Sequence, residues 1–132
     1  MRTKFLVALS VVALALTGCG GGPSGAADAL AKVEAPEWLG KPADTTKGDN
    51  LVRTYVGVPR RAAEVESAYS QALDRAGWRF HEGGPSCGKN PTKDGCWTAD
   101  DLLITVSGSG NDSATPDATP ATTLTVVVSA KG

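Results

Sequence analysis

Histidine and methionine occur once each in these 132 residues, as His81 and Met1, and aromatic side chains make up only 5% of the chain. A metal site built on several imidazoles is thereby excluded, and any Ser-His-Asp arrangement has to use His81. Charge of one sign is never concentrated: 13 basic residues face 14 acidic ones, with no run of either. The clustered cationic surface on which nucleic-acid binding rests is missing, so no nucleic-acid partner is expected. Long apolar runs are missing too. The longest, residues 5–16, is interrupted only by Ser10 and is too short to cross about 30 Å of hydrocarbon. Large aliphatic side chains are scarce: after residue 18, Leu, Ile, Val and Phe together number 18. That excludes a large enzyme, a two-lobed solute-binding protein and a multi-span membrane protein. Fifteen of the 18 fall within residues 51–108 and 122–130, so one small core is expected there.

What is present begins at the amino terminus. Arg2 and Lys4 precede the apolar run, which reads as the hydrophobic part of an export signal. The run ends in Leu16-Thr17-Gly18-Cys19, a branched apolar residue and two small residues before a cysteine. This tetrad resembles the lipobox of bacterial lipoproteins. The resemblance covers only the first 19 residues, and it implies cleavage after Gly18 and a diacylglyceryl group, with chains such as palmitate, on the Cys19 thiol. The implied mature protein is held on the extracytoplasmic face of the cell membrane by lipid; two acyl chains anchor firmly where one is marginal. An ordinary cleaved signal with a chance cysteine is the alternative.

Gly20-Gly21-Gly22-Pro23-Ser24-Gly25 has nothing to pack, and residues 43–50 are again polar. Residues 19–49 are therefore read as a flexible tether, with a weak helical turn or two at 26–34 and with Trp38 and Leu39 docking on the domain or presenting a recognition patch. About 30 such residues reach on the order of 30 Å, so the domain is expected to hover above the membrane.

The domain is expected over residues 50–132. Residues 51–58 alternate and are rich in β-formers. Pro59 suits a first helical turn, and Ala62, Val65, Ala68, Tyr69, Ala72, Leu73 and Ala76 recur at steps of three and four, one apolar helical face closed by Gly77. Residues 78–82 place Trp78 and Phe80 on one face of a strand, with Arg79 and His81 on the other. Residues 96–107 read as a hairpin turning at Ala99-Asp100, and 122–130 as the last strand. The order β-α-β-β-β-β gives an α+β domain, one helix on a small, mainly antiparallel sheet with a partly open second face. Residues 108–121 show no apolar periodicity and read as a disordered loop; their Ala/Pro/Thr composition resembles the glycosylated tracts of some exported actinobacterial lipoproteins.

With Cys19 given to lipid, Cys87 and Cys96 remain. They are expected to form a structural disulfide on the oxidising side of a membrane. A zinc site using Cys87, Cys96 and His81 is the sharper alternative, although the spacing is not Cys-x-x-Cys. Asp100-Asp101 and Asp94-Gly95 fit turn chemistry better than a calcium loop, and Trp97 is expected to pack on the disulfide. No cofactor is called for. The expectation is a membrane-tethered binding or accessory module for a protein or envelope component, using the open face, the Cys87 to Cys96 loop, and Trp38, Trp97, Arg79 and His81. A small enzyme or enzyme inhibitor centred on His81, and then a metal-binding module, are the alternatives.

Overall fold

A computed structural model describes residues 22–88, 95–110 and 119–131. Residues 1–21, on which the signal and lipid readings fall, with Asp94 and most of the Ala/Pro/Thr tract, lie outside the described residues. Among the described residues, two α-helices, α1 (Ala26–Ala31) and α2 (Ala62–Arg75), accompany six strands: β1 (Ala43–Lys47), β2 (Asn50–Val58), β3 (Arg79–His81), β4 (Cys96–Ala99), β5 (Leu102–Gly110) and β6 (Thr122–Ala130). The strands form one sheet in the order β1-β2-β6-β5-β4-β3, every neighbouring pair antiparallel. The fold is α+β, with the helices on one face of the sheet.

Alternation decides which side chains go inward. On β6, Leu124, Val126 and Val128 are fully buried, and the residues between them are only half-covered. Registered partners share a face, so Leu51, Val128, Ile104, Trp97 and Phe80 form one row across five strands on the helix side. The other side carries Val52, Val127 and Thr105 in one row and Thr54, Thr125 and Ser107 in the next. Helix α2 lays Val65, Tyr69, Ala72 and Leu73 on the inner rows. It ends in a Schellman arrangement: Gly77 takes φ 91°, its N–H donates to Asp74 O, and the Trp78 N–H donates to Leu73 O. Trp78 is thereby turned into the core, 5% exposed.

The structure corrects the sequence reading at several points. Residues 22–49, expected to be tether, belong to the folded body: Ala26, Leu30, Val33 and Leu39 are buried in the main core. Six residues of helix are too few to show periodicity, so α1 left little signal. Strand β1 left none because all five of its side chains are exposed; backbone pairing with β2 and a bidentate Asp44–Arg53 contact hold it there. Pro59 precedes the helix instead of opening it; the turn around it is closed by the Arg60 N–H donating to Val58 O. Strands β5 and β6 remain paired out to Gly110 and Thr122, so the connection is shorter than 108–121. The β4–β5 hairpin turns on Asp100 and Asp101, with Asp100 at φ 50°, a conformation that Asp tolerates. Cys87 and Cys96 are joined, their Cα atoms 5.6 Å apart. The disulfide covers Leu103 on the outer face. Trp97 is not its neighbour, since consecutive residues of a strand point to opposite faces.

Candidate functional site

Strand β3 is three residues long and forms one edge of the sheet. So short an edge cannot be fully roofed by α2, and Phe80 stays 47% exposed although it belongs to the inward row. Among the described residues, only Val56 and Phe80 are large apolar side chains left exposed. Val56 sits at the β2 irregularity beside Gly57. Phe80 stacks against Trp97 with ring centroids 5.1 Å apart and planes inclined at 52°, a tilted geometry that suits aromatic quadrupoles. Trp97 is half-buried and leans on the main core. The two rings, with Glu66 and Ser70 one turn apart on α2, and Gly95 and Val106, line a cleft of about 160 Å³. The Gly108 N–H donates to Glu66 Oε1 at 2.6 Å, which fixes this carboxylate beside the rings. A cavity of about 150 Å³ accepts a benzene-sized group, so the cleft suits one ring or one side-chain tip.

Arg79 and His81 project from the same strand on the opposite face. His81 Nε2 lies 2.8 Å from Thr98 Oγ1, and Arg79 is registered against Thr98. The disulfide brings residues 85–88 alongside them, with Cys96 registered opposite His81. Both thiols are consumed in this bond, so neither supplies the thiolate that a zinc site needs. Among the described residues, no group of three or more His, Cys, Asp or Glu side chains could hold a metal ion.

Of the four recognition candidates, the structure brings three to one edge and separates the fourth. Arg79 and His81 share the outer face, and Trp97 lies back to back with them on the inner face. Trp38 sits apart, packed on the main core with the Arg60 guanidinium 4.3 Å from its ring centroid. The sequence reading missed Phe80, Glu66 and Ser70. Alternation placed Phe80 on the inward face correctly, but nothing in the local sequence told that the strand would lie at an edge.

Away from this edge, Asp44 and Arg53 make two contacts of 2.8 Å, and the guanidinium interacts electrostatically with Tyr55 and Tyr69. The hydrogen bond from Arg53 holds the Asp44 carboxyl below its usual range, and the same bond raises the guanidinium. Burial pushes both phenols upward, Tyr69 the further. The Tyr69 hydroxyl is buried without a hydrogen-bond partner.

These features define a two-layer α+β protein with an aromatic edge cleft. Comparison with family models, with curated proteins and with solved structures finds no match.

Proposed function

We propose that the protein is a lipid-anchored, extracytoplasmic binding module, held through Cys19 and recognising a protein or envelope component at the β3–β4 edge. The anchor rests on the lipobox-like Leu16-Thr17-Gly18-Cys19. The observation that carries the recognition surface is Phe80, exposed and stacked on Trp97 beside a fixed carboxylate. Aromatic anchors in small pockets carry a disproportionate share of binding energy in protein interfaces. Around the same strand lie Arg79 and His81, so a partner wrapping the edge meets apolar, anionic and cationic groups within a few residues. The chemistry asked of this edge is recognition, with no covalent step.

Intact mass of the protein purified from its native membrane, with and without reduction, tests the anchor. A diacylglyceryl increment on a chain beginning at Cys19 is expected, and an unlipidated chain refutes it. Chemical crosslinking in that membrane tests the edge: Phe80→Ser is expected to abolish the crosslinked partner. If His81→Ala abolishes function while Phe80→Ser is silent, the reading centred on His81 as an enzyme or inhibitor takes its place.

A further inference from the structure

The folded body starts very close to the lipid site. Gly22 lies directly against β2: a Cβ built there would stand 2.6 Å from Leu51 Cβ and 2.8 Å from Leu51 N. Four residues on, Ala26 is 1% exposed and its N–H donates to Pro23 O; Leu30 is likewise 1% exposed. From residue 22 the chain is therefore clamped, and lengthening the leash means pulling Ala26, Leu30 and Val33 out of the core. Only three residue steps separate Cys19 from Gly22, which fully extended reach about 11 Å. That distance is comparable to the diameter of one helix with its side chains.

We infer that the α1 end of the domain is held against the lipid head groups, with the bilayer surface as its docking partner. The inference rests on the proposed lipid at Cys19 and deepens it. The same end of the sheet carries the β1–β2 and β4–β5 turns, because Gly22 meets Leu51 near the start of β2, and Ala29 and Lys32 line one cavity with Ala99, Asp100 and Leu102. Lys32, Lys47 and Lys131 there are interleaved with Asp28, Asp49, Asp100 and Asp101. The surface carries no net attraction for anionic lipid, so the short leash sets the apposition and salt does not weaken it. Strand β5 runs about 27 Å away from this end over its nine residues. The Gly110 end of β5, the Thr122 end of β6 and the Pro59 turn, joined by Thr122 Oγ1 donating to Arg60 O, lie at the end away from the membrane.

The test uses the full lipidated chain in vesicles of phosphatidylcholine and phosphatidylglycerol. Photoreactive p-benzoylphenylalanine replaces exposed Ala27 in one variant and exposed Ser109 in another. Illumination is expected to give several-fold more phospholipid adduct from position 27 than from position 109, unchanged by high salt. Inserting fifteen Gly/Ser residues between Gly21 and Gly22 is expected to erase the difference. Equal adducts from both positions, in a protein whose mass carries the lipid, overturn the apposition and leave the anchor standing. A chain without lipid on Cys19 overturns both.

Discussion

The two edges of the sheet solve one problem in opposite ways. An edge strand offers unpaired backbone groups to any passing chain, and proteins usually blunt it. On one side, β1 is exposed throughout, ends in Lys47, and is pinned by the paired contacts of Asp44 and Arg53. On the other, β3 is cut to three residues and flanked on the outer face by the Cys87–Cys96 disulfide, yet it leaves an aromatic ring in solvent. The first edge is closed by charge, the second by shortness and a covalent strap. An edge closed by shortness still has room to expose a side chain for recognition.

Removing the strap should have the largest effect. Replacing Cys87 and Cys96 together by serine releases a ten-residue loop, and loop-closure entropy puts the cost at about 2.7 kcal/mol. Urea unfolding should show that loss, and hydrogen exchange should rise at β3 and β4 while β1 and β2 keep their protection. Equal loosening of both edges would refute the division. Asp44→Asn should weaken the opposite edge by about 1 kcal/mol, as a bidentate but partly exposed pair. That deficit is also pH-dependent. The Asp44 carboxyl lies below its usual range, so its contribution is fully present above the unfolded value of about 3.9 and is lost as pH falls through the lower folded one. The stability gap between wild type and Asp44→Asn should hold steady down to about pH 5 and close in stronger acid.

Between the edges, Tyr69→Phe removes a buried hydroxyl that has no partner and should stabilise by up to about 1 kcal/mol. Burial raises that phenol, so its contribution is present below the ordinary tyrosine pKa of about 10 and fades as pH rises beyond it. The variant should resist alkaline unfolding better than wild type. Phe80→Ser removes a half-exposed ring and its stacking on Trp97 and should cost about 1–2 kcal/mol, less than loss of the strap, while it removes partner binding. A large loss of stability would mark Phe80 as core instead.

Much of this architecture was legible because it repeats a period. Alternation in β5 and β6 and the three-and-four spacing along α2 each name a buried face, and with Cys19 set aside two cysteines left one pairing. Residues 22–49 were legible only in part: a turn or two of helix at 26–34 and the docking of Trp38 and Leu39 could be read, but neither strand β1 nor the burial of α1 in the core. Helix α1 spans fewer than two turns, and β1 buries no side chain, so neither has a period; both exist because β2 and the core accept them. Trp97 shows a different failure. Its neighbour in sequence, Cys96, suggested contact, whereas the pleat sends the two to opposite faces, and alternation applied one residue further would have said so. The edge cleft depended on knowing that β3 has a neighbour on one side only, which is a property of the whole sheet.

The sheet's strand order also dictates when the protein can fold. Strand β6 lies between β2 and β5 and pairs with both along its length, joining Leu51 to Val128 across most of the domain. A growing chain carries β2 and α2 long before their partner β6 is made, and such distant contacts form slowly. Until residue 122 onward arrives, the inner rows have no centre on which to close. The fold is therefore withheld until β6 has been made, and a truncation before β6 should leave no partially working remnant.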